Sequence, residues 1–450
     1  MVKNMTTGGS LKLLLGFMVP LLIGNVFQQL YSISDIIIVG RTIGVNALAS
    51  VGAAAPVFML LVVVTMGMSN GFTVVTGQYY GAGDLDNMRR SAAMATMLSV
   101  AAVGVIDLIV FAFLDPALQL MNIPAELFAD ARSYVAIISH GLIVMMAYNL
   151  LSGILRSLGD SKTPLYFLII ATLINIILAL VFIIYCGWGV PGSAVALVIA
   201  QGISVVLCVL YIKFKFPILA LQKKDWHFDW SFAVQHLKIG IPMAAQFSVM
   251  GLGMILIQAV CNKFGPLAIA GFTAAMRVEQ LAIQPMISFG LAMAVFSAQN
   301  FGAGSFDRIR DGVKRCSFVA MGFSVLAAVL VFLFNEQIIT IFVDSVNTDV
   351  ISFASSYLNL SVPFYFFLSQ LFIYRGAVQG MGVAIVPLIS AVIELLMRTG
   401  AAMYLAQLWG FMGVCYASPI AWVASSIFLF VSYRYFVKAL ERGRKCVAPG

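Results

Sequence analysis

The chain has 450 residues, of which 62% are hydrophobic and only 10% charged, whereas soluble domains run roughly 45–50% apolar and about 25% charged. A surface this apolar cannot stay wet, so a water-soluble enzyme or binding module is excluded and the bilayer must act as solvent. The net charge of +8 sits in short clusters between apolar runs, which speaks against a nucleic-acid face and for loops at a membrane surface.

A bilayer core of about 30 Å takes roughly 20 residues of helix. Twelve segments meet or approach that length: 11–39, 47–79, 92–114, 131–156, 164–186, 191–213, 234–262, 267–299, 315–334, 351–379, 384–407 and 411–433. None shows the alternating ten-residue pattern of a membrane barrel. The first run is too long for a cleaved leader and lacks a small-residue cleavage pattern, so it should stay as a helix. With the first residue on the cytoplasmic side, all basic residues except Arg41, Arg132, Lys263, Arg277 and Arg398 fall to inner loops and tails. That bias predicts both termini in the cytoplasm and an even number of spans. Six scattered cysteines suggest neither a disulfide framework nor a metal knuckle.

The first helix is unusually polar. It carries Gln28, Gln29, Tyr31, Ser32 and Asp35, the last among Ile33, Ile36, Ile37 and Ile38. A carboxylate in a low-dielectric setting can exchange a proton near neutrality, which suits ion coupling; the alternatives are a pair with Arg41 or a helix cap. Asp107 in the third helix reads as a polar lobe contact, and His140 in the fourth as a packing residue that could also titrate. Asn149 and Ser152 can hydrogen-bond between helices. In the C-terminal half, Arg277 and Glu279 lie two apart in the eighth helix and cannot share a face, while Glu394 and Arg398 in the eleventh are four apart in the favourable order. Arg277, Glu279, Glu394 and Arg398 are expected to form a self-neutralising network, with Glu279 alternatively a substrate contact or second proton carrier. Met243, Met250, Met254, Met276, Met286 and Met293, with the aromatic run Pro363 to Tyr374, offer adaptable apolar faces for binding or for lipid. The expected cavity wall draws on Gln28, Tyr31, Asn149, Met254, Glu279, Gln284, Tyr365 and Gln370. Pro20, Pro242, Pro285, Pro363 and Pro419 are candidate kinks.

The halves are copies. Gln78, Gly81, Ala82, Gly83, Asp86 and Arg89 recur as Gln299, Gly302, Ala303, Gly304, Asp307 and Arg310, each 221 residues on. Ser133-Tyr134, Gly153, Gly159 and Pro164 recur as Ser356-Tyr357, Gly376, Gly382 and Pro387 at an offset of 223, and Trp188-Gly189 and Gly192 recur as Trp409-Gly410 and Gly413 at 221 again. Six helices per copy make the repeat parallel, with its pseudo-twofold axis along the membrane normal. The fold expected is an all-α integral membrane protein: twelve transmembrane helices in two six-helix lobes around a central cavity. The N-lobe spans 1–212, a cytoplasmic linker 213–232, and the C-lobe with a short basic tail 233–450. The Gly-Ala-Gly turns should place glycine at positive φ.

GNVFQQLYSISDIIIVGR (Gly24 to Arg41) with GVNALASVGAAAP (Gly44 to Pro56), the GQYYGAGD and AQNFGAGS loops, and MRVEQLAIQP (Met276 to Pro285) together resemble the multidrug and toxic compound extrusion (MATE) family, the DinF-like branch more than the NorM-like one. The resemblance covers nearly the whole chain. It implies efflux driven by inward H⁺ or Na⁺, with Asp35 at the family's coupling position and Asn175 in the fifth helix assisting it. Ala179 and Leu197 stand where relatives often carry oxygen-bearing side chains, and Met250 and Ser369 where the NorM-like branch has acids. A hard cation wants several oxygen ligands, so the resemblance favours H⁺ over Na⁺. No cofactor is implied. No GxxxxGK[ST], HExxH or GxSxG motif is present, so direct ATP use and enzyme activity are not expected. The reading is an antiporter of the bacterial inner membrane that exports amphipathic, cationic organic compounds by alternating access. It would act as a monomer, with small-molecule substrates and membrane lipids as partners and no nucleic acid. The alternative is a lipid-linked oligosaccharide flippase of the same superfamily.

Overall fold

The computed structural model describes residues 4–121, 123–343 and 346–441, except the side chains of 30–37, 41, 45, 46, 48 and 441. Thirteen α-helices follow one another, and no strand occurs among the described residues: α1 (Ser10–Thr42), α2 (Val45–Gly81), α3 (Leu85–Leu120), α4 (Ala125–Ser157), α5 (Lys162–Leu180), α6 (Gly189–Lys215), α7 (Trp230–Cys261), α8 (Pro266–Gly302), α9 (Phe306–Ile339), α10 (Thr348–Ser361), α11 (Tyr365–Gly380), α12 (Ile385–Trp409) and α13 (Phe411–Glu441). A single 3₁₀ turn at Val362–Phe364 joins α10 and α11 into one span, which leaves the twelve spans expected.

Several helices outrun their apolar stretches. α3 begins at Leu85, not residue 92, because the Asp84 carboxylate accepts the Asn87 backbone N–H at 3.0 Å and caps the first turn. Asp86 and Arg89 then pair at 2.7 Å along that turn. Hydropathy marks where the chain meets lipid, whereas caps decide where the helix starts. Gly83 and Gly304 take φ of 75° and 67°, as the repeated turns require.

The chain divides into two compact units, but not at the expected linker. Unit 1 holds Pro20–Ala244; unit 2 holds Met5–Val19 and the chain from Ala245 onward. The lobe limits 1–212 and 233–450 therefore shift: the start of α7 belongs with the first six helices, and the start of α1 with the last six. Close packing of small residues sets this division. A Cβ on Gly71 of α2 would lie 2.5 Å from the Cα of Gly240 in α7, so the two backbones touch. In unit 2, Met5 donates its N–H to Gln299 Oε1 at 2.8 Å and accepts from Asn300 and Arg308 at 3.1 and 3.2 Å. The segment 213–232 is no loose tether, since Phe216 and Leu219 are buried in the unit 1 core. At its end Arg90 reaches Asp229 at 2.7 Å and lies over the Phe232 ring. The Phe232 backbone N–H, then Arg90, hold the Asp229 carboxyl below the usual carboxylate range.

α5 ends in a π-helical turn, Val181–Tyr185. The repeat offset changes from 223 to 221 between Pro164 and Trp188, so the turn lies where the two copies differ in length. Within unit 2, α8 and α11 cross at Gly290 and Gly376, where a Cβ on Gly376 would collide with the Gly290 carbonyl.

Candidate functional site

The repeat places two interiors at equivalent positions, and they differ in kind. In unit 1, helices α1, α2, α4, α5 and α6 enclose a cavity of about 290 Å³, walled by Gln28, Phe58, Tyr134, Ala171, Leu197 and Gln201 among others. Phe58 and Tyr134 pack edge to face, with ring centres 6.1 Å apart. Gln201 Oε1 is buried and finds no hydrogen-bond partner among the described residues. Asn175 follows Ala171 by one helical turn on α5. It is 1% exposed, and its Nδ2 also has no partner among the described residues. A buried amide without a partner is costly, so this interior offers polar groups to a guest inside a mostly apolar wall.

Unit 2 fills the corresponding interior with charge. Glu394 Oε2 accepts from Arg375 at 3.1 Å and Oε1 from Arg398 at 2.5 Å, with all three side chains at most 7% exposed. Arg375 also reaches Ser390 at 3.5 Å and the Met250 sulfur at 3.4 Å. Ser390 is tied to Ser425 at 3.0 Å. Glu279 is 5% exposed and lies against the Tyr357 hydroxyl, which donates to Ser418 at 3.4 Å. Glu279 Oε2, the Tyr365 hydroxyl and the Nε atoms of Arg375 and Arg398 have no hydrogen-bond partner among the described residues. Charges this deep persist only when paired.

Of the expected network only Glu394 and Arg398 are joined by ion pairs; Glu279 lies beside Tyr357 and makes no ion pair among the described residues. Arg277 is exposed on α8 and takes no part, because residues two apart on a helix point to different sides. Arg375, counted on the sequence among inner-side basic residues, takes its place. The signal was available, since Arg375 lies inside the predicted span 351–379. Tyr357 and Ser418 come to Glu279 only through packing of α10 and α13.

The other expected positions scatter. Gln28 lines the unit 1 cavity. Asp35, Tyr31 and Arg41 have side chains outside the described ones. Tyr365 is fully buried against Trp422, ring centres 6.1 Å apart. Gln370 lines a separate groove in unit 2 and donates to the Ser317 carbonyl at 3.3 Å. Gln284 is buried on α8, and Asn149 and Met254 are half-buried. Asp107 and His140, read separately in the sequence, meet at 3.1 Å between α3 and α4.

Residues 20–181 and 242–402 match the family model MatE, which covers well over half of the chain. The chain belongs to the MatE family. It is similar to a probable multidrug resistance protein, YpnP, of Bacillus subtilis, with 27% identity over 96% of each chain. It is also similar to a probable multidrug resistance protein, NorM, of Thermotoga maritima, with 25% identity over 85% of this chain and 83% of that one. A crystal structure of MATE in complex with MaL6 superposes with a TM-score of 0.92 at 22% identity, covering 98% and 99% of the two chains. That likeness establishes the fold.

Proposed function

We propose that the chain is a secondary active exporter of drug-sized organic compounds, amphipathic and cationic, driven by H⁺ moving inward. Family membership and the names of its relatives support export of drugs. The observation that carries the assignment to unit 1 is the buried Asn175 amide. It lies one turn from the wall of a cavity bounded partly by α1, and it has no partner among the described residues. Asp35 follows Gln28 by seven residues in α1, and a titratable carboxylate in a membrane helix is costly enough to suggest function. In this reading Asp35 carries the proton, Asn175 holds it in register, and Gln28 and the Phe58–Tyr134 wall meet the substrate. The distribution of basic residues supports insertion in the bacterial inner membrane with both termini cytoplasmic.

The test is efflux of a fluorescent organic cation from proteoliposomes under an imposed ΔpH or ΔNa⁺. Asp35→Asn is expected to abolish ΔpH-driven efflux and Asn175→Ala to weaken it. Undiminished transport by Asp35→Asn overturns the coupling role, and strict dependence on Na⁺ overturns the choice of ion.

A further inference from the structure

The two units treat one surface differently. In unit 1, the chain after α6 makes a 3₁₀ turn, Pro217–Leu219, that packs against α3 and α6 and buries Phe216 and Leu219. Unit 2 has no such cover among its described residues. There α13 continues straight as helix to Glu441, and the repeat equivalents of Phe216 and Leu219 are Val437 and Leu440 within that helix. The corresponding face, walled by α9, α11 and α13 with Leu11 of α1 at its edge, is an open groove of about 1250 Å³. Its volume exceeds the roughly 300–1,000 Å³ of ordinary small-molecule pockets.

The groove is amphipathic along its length. Phe318, Phe366 and Phe430 line its apolar part, and Phe318 is 72% exposed. At the end where α9 begins and α13 closes stand Arg310, Lys314, Arg315 and Arg434, with Asp307 and Asp311. Arg310 pairs with Asp307 at 3.1 Å and Arg315 with Asp311 at 2.6 Å. Among the described side chains lining this end, four cations stand against two carboxylates, an excess of positive charge. Arg442, Arg444 and Lys445, which follow Glu441 in the sequence, bring no negative charge. A neutral apolar partner would leave the charge unanswered, and a soluble anion would leave the aromatic wall unused.

We infer that this groove binds an anionic phospholipid, with acyl chains along the aromatic wall and the phosphate at Arg310, Lys314, Arg315 and Arg434. Given the orientation proposed above, the lipid belongs to the cytoplasmic leaflet, where polybasic helix ends meet anionic headgroups. The lipid covers in unit 2 what the chain covers for itself in unit 1.

The test uses the full chain in nanodiscs of phosphatidylcholine doped with phosphatidylglycerol, with bound lipid read by native mass spectrometry. The protein should retain phosphatidylglycerol preferentially. Lys314→Gln with Arg434→Gln should weaken that retention by about 30-fold, because each basic residue near an anionic surface contributes on the order of a factor of five. Lys213→Gln with Lys215→Gln, two basic residues at the covered end of unit 1, should leave it unchanged, and Arg434→Lys should restore most of it beside wild-type Lys314. Equal retention of both lipids, an undiminished preference in the groove pair, or an equal loss in the unit 1 pair overturns the inference. So does tighter lipid binding by a chain ending at Glu441, which makes the tail the occupant. These readouts involve no transport, so failure of the exporter reading leaves them interpretable.

Discussion

At five repeat-related positions unit 1 has Phe58, Tyr134, Ala171, Asn175 and Leu197, where unit 2 has Glu279, Tyr357, Glu394, Arg398 and Ser418. Only the tyrosine is shared. In unit 1 the short Ala171 leaves space, and a cavity opens beside Asn175. In unit 2 Glu394 occupies the matching position and brings Arg375 and Arg398 onto itself. One backbone duplicated thus yields a container in one copy and a brace in the other. A buried ion triad adds little stability over apolar residues of the same shape, but it penalises any alternative packing that separates its members.

Breaking the brace should have the largest effect. Glu394→Ala strands two buried arginines and is expected to cost about 3–5 kcal/mol, or to prevent accumulation of folded protein; thermal unfolding in detergent reads this. Replacing Arg375, Glu394 and Arg398 together with methionine should cost far less, and an equal loss in both variants would show that apolar packing, not pairing, matters. Next in size is Gly376→Ala, which pushes α11 off α8 at the Gly290 carbonyl. It should lower stability by about 1–3 kcal/mol, while Gly322→Ala on α9, where a Cβ meets nothing within 4 Å, should be neutral or better. Ala171→Leu sharpens the comparison from the other side. It fills the unit 1 cavity, so stability should change by about 1 kcal/mol or less, whereas drug efflux should fall about tenfold, equivalent to about 1.4 kcal/mol. Unchanged efflux would remove the cavity from the transport path.

The smallest effect is expected outside the membrane. The Asp229 carboxyl is held below its usual range by the Phe232 N–H and Arg90. A depressed carboxylate contributes stability above its unfolded value, about 3.9, and loses it as pH falls through the folded value. Melting temperature should therefore decline slightly more steeply below about pH 4 in the wild type than in Asp229→Asn. Identical slopes would mean that the Asp229 contacts do not hold the linker.

The copies also explain which parts of the site the sequence reveals. Glu394 and Arg398 could be paired on paper because four residues on a helix are a contact, independent of anything else in the molecule. Their third member could not. Arg375 looks like an inner-side cation until α11 is packed against α12, and Arg277 looks like a network member until α8 turns its side chain outward. His140 and Asp107 each look solitary for the same reason, since 33 residues separate two groups that meet at 3.1 Å. The groove between α9, α11 and α13 holds Asp307 and Arg310 of the repeated motif, yet the motif does not mark a groove there. The groove is defined by the course of α13 past the point where its counterpart turns back.

The sequence by itself determined the solvent, the number of spans, the duplication and the family, because each rests on composition, on period or on short-range spacing. It bracketed the offset change between Pro164 and Trp188, though not the π-helical turn at Val181–Tyr185. Only the tertiary structure decided that α1 and α7 begin in the unit opposite to the one they complete, which arginine completes the buried triad, and that a cavity opens beside Ala171. Those outcomes depend on backbone approach at glycines such as Gly71, Gly240 and Gly376 and on side-chain volume at positions such as Ala171. Such contacts join residues far apart in the chain, and local pattern carries no record of them.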